Sequence, residues 1–152
     1  FKLESHEREI ISFHPNEYLK NIHFLGDSFN AILYKKVLCV DYQSFKSDVM
    51  TTLEIHPHYL KQYNNRWFLI GNNPEFENFT NLALDRIVSF SEIEKKYQVS
   101  SINFNEYFDD VIGVSIPPES IVSKITLFAT PDLAPYIMTK PLHGSQKKIS
   151  TD

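Results

Sequence analysis

The chain has 152 residues, enough for one domain or two small ones, and 42% hydrophobic content supports a packed core rather than wholesale disorder. A net charge of −4 excludes a surface that neutralises duplex DNA over its whole face, so any nucleic-acid contact has to come from a local basic cluster. The single cysteine, Cys39, excludes an internal disulfide and a cysteine-based zinc site and points to a reducing, cytoplasmic setting, and no apolar run reaches the ~18 residues that span a bilayer.

Twelve Phe and 8 Tyr against only 4 Gly favour strands over a helical bundle. Residues 1–25 mix charge with scattered aromatics and read as a connecting segment. The chain begins at Phe1 rather than Met and is expected to be a piece of a longer protein. Asp27 or Ser28 then caps a helix with Phe29, Ile32 and Leu33 on one face, ending near Lys35-Lys36 where positive charge suits a C-terminus. Val37 to Tyr42 is a β-branched apolar run of strand length, and Phe45 to Asp48 reads as a turn. Thr51–Ile55, Tyr59–Tyr63, Arg66–Ile70 and Asn81–Leu84 read as further strands. Asn64-Asn65 reads as a hairpin turn, and Gly71-Asn72-Asn73-Pro74 as a stop. Five short strands joined by tight turns predict a small closed or half-closed barrel, because closure removes exposed edges.

Ser91 to Tyr97 reads as a short helical or turn segment, and Asn105 to Phe108 as one helical turn. Ile112 to Ile116 leads to Pro117-Pro118, Ile121 to Ala129 alternates like a strand, and Leu133 to Met138 reads as a helix after Pro131-Asp132. The organisation expected is a linker at 1–25, a barrel at 26–97, a second linker at 98–111 and a C-terminal extension at 112–152.

Three stretches carry a resemblance. Ile55-His56-Pro57-His58-Tyr59-Leu60, Asn65-Arg66-Trp67-Phe68-Leu69-Ile70-Gly71 and Leu82-Ala83-Leu84-Asp85-Arg86-Ile87 resemble, in order and spacing, the WYL domain. That family's pattern is a Pro-containing strand, a Trp-Tyr-Leu strand after a tight turn, and a Leu-Asp-Arg-Ile segment. Tyr136 to Gln146 looks like the extension common in these proteins, so the resemblance covers most of 16–148. It implies a mainly β fold with α elements: an Sm-like or SH3-like barrel preceded by a helix and followed by a partial α/β, ferredoxin-like extension. It implies further a bacterial transcription regulator whose barrel senses an effector, in some members pieces of nucleic acid, and whose extension takes part in dimerisation. Two departures stand out: Phe68 replaces the family Tyr, and the chain stops soon after Gln146, where the extension normally continues. Nothing in 1–25 resembles a helix-turn-helix, so promoter DNA is expected to be held by a domain absent from this chain.

Trp67 shares a strand face with Leu69 and reads as a core anchor. Arg66 and Arg86 carry planar, permanently charged forks suited to phosphate or carboxylate. Their structural alternatives are an ion pair for Arg86 and solvation for Arg66. The resemblance favours a ligand role for Arg86, because this family's pockets are basic. His56 and His58, two apart, project from one strand face and can donate to a phosphate oxygen; a metal site needs a third ligand that the sequence does not identify. Tyr42 and Tyr59 suit stacking on a base or filling the barrel equally well. His143, Ser145 and Gln146 suit contact with a partner or loop capping.

No Gly-rich phosphate loop, nucleophile elbow or His-Glu-x-x-His is present, and adjacent Asp109-Asp110 point apart on an extended chain, so neither an enzyme nor a cofactor is expected. The reading is a ligand-sensing, homodimeric regulator module with no membrane partner. It takes an anionic effector, a nucleotide, a short single-stranded nucleic acid or a phosphorylated metabolite, on Tyr42, His56, His58, Tyr59, Arg66 and Arg86. The alternative is a dimerisation or protein-interaction module without a ligand.

Overall fold

A computed structural model describes residues 20–45 and 47–149. Within it the chain divides into two compact units, Phe1–Tyr97 and Gln98–Asp152. The first holds helix α1 (His23–Leu33) and strands β1 (Val37–Tyr42), β2 (Thr51–Tyr63), β3 (Arg66–Asn72), β4 (Thr80–Ala83) and β5 (Ile87–Ile93), with a 3₁₀ turn, Leu84–Arg86, between the last two. The strands form one antiparallel sheet in the order β4-β3-β2-β1-β5.

The helix begins four residues before the expected cap, and its inward face differs from the one read in the sequence. Ser28 and Ala31 are buried, and Phe24, Leu25 and Ile32 pack on the core, whereas Phe29 and Leu33 are more than half exposed. Once Phe24 and Leu25 are helical, the row 24–28–31–32 offers the continuous stripe that a core-facing helix needs. The expected end near Lys35-Lys36 holds. Lys35 takes a left-handed φ of 54°, and Lys36 N donates to Ala31 O at 2.8 Å, closing the last turn.

Two expected strands are one. β2 runs unbroken through His56-Pro57-His58, pairing with β1 through Ile55 and with β3 from His56 onward. Pro57 has no N–H to give a ladder, and the register shifts between Pro57 and Tyr59, a bulge that bends the strand at the changeover. Gly71, read as a stop, is instead a paired residue of β3. A Cβ there would lie 2.5 Å from His56 O and 2.8 Å from Ile55 Cγ2, so only glycine lets β3 cross the bend so closely. Asn64 and Asn65, at φ 48° and 61°, make the tight hairpin between β2 and β3. Residues 91–93, expected to be helical or turn, complete β5 and pair with β1.

The core is built from every element of this unit: Ala31, Leu38, Val40, Ile55, Leu69, Leu82, Leu84 and Ile87, with Trp67 packed against it. β4 and β5 stand at opposite edges, about 19 Å apart were the sheet flat. Yet only the 3₁₀ turn joins them, spanning roughly 6–8 Å at ~2 Å per residue. The sheet must therefore curl until its edges approach at that turn. No ladder joins β4 to β5, so the sheet stays open and falls short of a closed barrel.

The second unit, described for residues 98–149, holds two short helices, α2 (Phe104–Tyr107) and α3 (Ala134–Thr139), and no strand among its described residues. Asn103 Oδ1 caps α2 by accepting from Asn105 N at 3.2 Å, and Phe104, Tyr107 and Phe108 form a ring cluster. Gln146 ties the chain back to α3, donating to Ile137 O at 3.2 Å and accepting from Leu142 N at 3.0 Å. The segment 121–129 is not a strand: Ile121, Val122, Ile125, Leu127 and Phe128 are all exposed. Alternation alone does not make a strand, because a ladder needs a neighbour to receive its N–H groups. No helix among the described residues is long and apolar enough to cross a membrane.

Candidate functional site

The 3₁₀ turn that brings the sheet edges together also gathers charge. Leu84 anchors it in the core, and Asp85 and Arg86 beside it are half-buried. Phe68 pairs with Ala83 in the β3–β4 ladder, and continuing that antiparallel register by two residues sets Arg66 against Asp85. Arg66 Nε lies 3.2 Å from Asp85 Oδ1, the two side chains 20% and 9% exposed. This is the reverse of the structural alternatives read from the sequence: Arg66 holds the acid and Arg86 does not.

Arg86 instead stacks under Phe45, its Cζ 3.7 Å from the ring centroid. Its Nε is buried and has no hydrogen-bond partner among the described residues. The backbone around it is well held. Gln43 N donates to Arg86 O at 3.1 Å, Ala83 N donates to the Tyr42 hydroxyl at 3.3 Å, and Asn21 Nδ2 donates to Ile87 O at 2.8 Å. The β1–β2 loop is itself braced by Gln43 Nε2 donating to Ser47 O at 2.7 Å. Tyr42, Phe45, Arg66, Asp85 and Arg86 thus belong to one neighbourhood.

The histidines belong to another. His56 and His58 both face Tyr97, with ring centroids 6.0 and 5.5 Å away. His58 Nδ1 is 2.9 Å from the Tyr97 hydroxyl, which donates its own hydrogen to Pro57 O. The phenol oxygen therefore accepts from His58 Nδ1–H, so the Nδ1 hydrogen is already engaged. Burial, with a smaller push from neighbouring His56, drives His58 down to about 4, and burial raises the Tyr97 phenol. His56 Nε2 lies 3.3 Å from Glu54 Oε1, and Glu54 also pairs with Lys95, whose hydrogen bond is the main reason its carboxyl stays below the usual range.

His56 pairs with Asn72 and Tyr63 pairs with Arg66, so the histidines and Arg66 lie at opposite ends of the β2–β3 hairpin. Seven residues at ~3.3 Å each put about 23 Å of strand between them. Tyr59 sits between, opposite Ile70. Among the described residues no three His, Cys, Asp or Glu side chains group as a metal would need. His143, with Ser145 Oγ 2.9 Å from its Nδ1, and Gln146 shape their own loop in the second unit.

Sequence reasoning missed Phe45, Asp85 and Tyr97. The signal for Asp85 lay in hairpin register. An aromatic ring in a polar turn was the only trace of Phe45, and Tyr97 was obscured by a helical reading of its segment.

Residues 23–91 match the model of the WYL domain. A search of the curated proteins finds no match. Among solved structures, the chain is similar to proteasome accessory factor B/C (PafBC) of Arthrobacter aurescens, at 20% identity and a TM-score of 0.47. That likeness covers 57% of this chain and 13% of that one.

Proposed function

We propose that the WYL domain at residues 23–91 is the effector-sensing module of a transcription regulator, and that it binds an anionic effector at Arg86. The observation that carries this is the contrast between Arg86 on the 3₁₀ turn and Arg66 at the start of β3. Arg66 lies within ion-pair distance of Asp85, while Arg86, stacked on Phe45 and braced through its carbonyl, makes no ion pair among the described residues. A guanidinium stacked by one face keeps its N–H edge in plane for a phosphate or carboxylate. Tyr42 and the Arg66–Asp85 pair fix the turn. The two histidines support the β2 bend and stand outside the site.

In this reading the module is a binding protein, not an enzyme. The effector acts on the rest of the regulator only through a difference in affinity between its two states. Arg86→Ala should weaken binding of a short oligothymidylate of about ten nucleotides roughly ten- to hundredfold, the range for a charge-assisted contact, without altering the circular dichroism spectrum. Unchanged affinity in the folded variant would remove Arg86 from the site.

A second reading, a dimerisation module without a ligand, is favoured by the exposed apolar row Ile121, Val122, Ile125, Leu127 and Phe128. Equilibrium sedimentation with and without the oligonucleotide separates the two: a stable dimer indifferent to the probe supports the second.

A further inference from the structure

We propose that helix α1 has two apolar faces, one for the sheet and one that docks the chain's own upstream segment, residues 3–13, as the second half of a helix pair. The inner face is the row Phe24, Ser28, Ala31 and Ile32, packed on the core. The outer face is Ile22, Gly26, Phe29 and Leu33, roughly 140° round the helix. Ile22, Phe29 and Leu33 are 41%, 57% and 58% exposed, and a Cβ at Gly26 would meet nothing within 4 Å. Steps of four, three and four residues are the spacing of a helix-packing seam, and the glycine within the row leaves room for a large side chain. Singly exposed apolar residues need no explanation, but a row in register along one helix does.

The chain that leads into α1 is the occupant. Residues 3–13 precede the described chain, and their sequence carries a matching row: Leu3, Ile10 and Phe13 at i, i+7 and i+10, with His6 at i+3. Glu4 and Arg8 fall on the opposite side. Pro15 biases His14 away from helical backbone and so closes the pattern after Phe13. As helices, both rows span about 15–17 Å. Residues 14–21 are left for the connection, within the roughly 2–8 residues that join neighbouring helices. The corner itself is built. Asn21 takes a left-handed φ of 63°, which interrupts any right-handed helix running on from upstream, and its Nδ2 donates to Ile87 O at 2.8 Å. The chain therefore turns at a point fastened to β5 and does not enter α1 as a straight extension of it. A segment tethered so closely meets the outer row at high effective concentration, ahead of any separate partner.

Amide hydrogen exchange on the full chain tests the docking. Wild-type amides within 5–13 should exchange roughly tenfold or more slowly than those of a free peptide of the same sequence, at any protein concentration. Phe29→Asp combined with Leu33→Asp should erase that protection while β1–β5 stay protected, because both side chains lie off the core. Ile10→Asp should erase it from the other partner, and Ile10→Leu should keep it. Unprotected amides in the wild type would overturn the proposal. Protection that survives both Ile10→Asp and the Phe29–Leu33 double variant would overturn it as well, since the segment would then be held elsewhere. Equilibrium sedimentation settles the competing occupant, a second copy. A dimer that the double variant dissociates, with exchange in 5–13 unchanged or slowing only as concentration rises, would assign the face to contact between copies and overturn the docking.

Discussion

His58 shows how a residue chosen for its chemistry becomes structural once packed. Its Nδ1–H goes to Tyr97, and burial holds it down to about 4 against the ordinary histidine value of 6.5. Between those two values the unfolded chain binds a proton that the folded chain refuses, so stability is whole above about pH 6.5 and declines as pH falls towards about 4. Asp41, held low by hydrogen bonds from Thr52 and Ser89, and Glu54, held low chiefly by Lys95, keep their contributions above the carboxylate range and lose them only at lower pH. The windows overlap near pH 4–4.5, and of these three groups only His58 acts above about pH 5. His58→Asn, which keeps a donor near Tyr97 and cannot titrate, should flatten the melting-temperature profile across the upper window. An unchanged slope would show that His58 is not its source. At the same scale, both arginines were legible as candidates but their roles were not, because Asp85 meets Arg66 through ladder register across 19 positions of sequence.

Among the elements, β2 departs furthest from its sequence. Its His-Pro-His stretch reads as a break because proline cannot donate to a ladder, yet the bulge absorbs that defect and turns it into the bend that lets one strand serve both β1 and β3. The bend has a partner requirement. Gly71→Ala would set a methyl 2.5 Å from His56 O, a backbone atom that cannot swing aside. The cost should be at least about 1–3 kcal/mol, the usual range for overpacking, read as a lower denaturation midpoint. Stability equal to wild type would mean that the β2–β3 crossing relaxes freely. Helix α1 teaches the complementary lesson. Its existence and its end near Lys35-Lys36 were readable, but its inward face was not, since a start five or six residues earlier brings Phe24 and Leu25 into the continuous stripe.

At the scale of the molecule the two units differ in how their backbone is held. The first is laddered from β1 to β5 around one core. The second has two short helices among its described residues, and Lys124 lies in an exposed stretch without regular pairing. Limited trypsin digestion should therefore cut at Lys124 well before Lys61 or Arg66, which lie in paired strands. Cleavage of those strand bonds at a similar rate would contradict the difference.

The sequence by itself determined what depends on short range. β1 and the Asn64-Asn65 hairpin follow from β-branched runs and residues that accept positive φ, and the helical turns near 105 and 134 follow from local caps and breakers. It also carried, through the order of three motifs, the WYL match over residues 23–91. Tertiary structure alone decided which cation is neutralised, which face of α1 points inward, and that the sheet curls without closing. Each of these turns on atoms distant in sequence meeting across a ladder or a bend. The alternation of 121–129 marks the same limit from the other side: a strand pattern forms a strand only where another strand stands ready to share its hydrogen bonds.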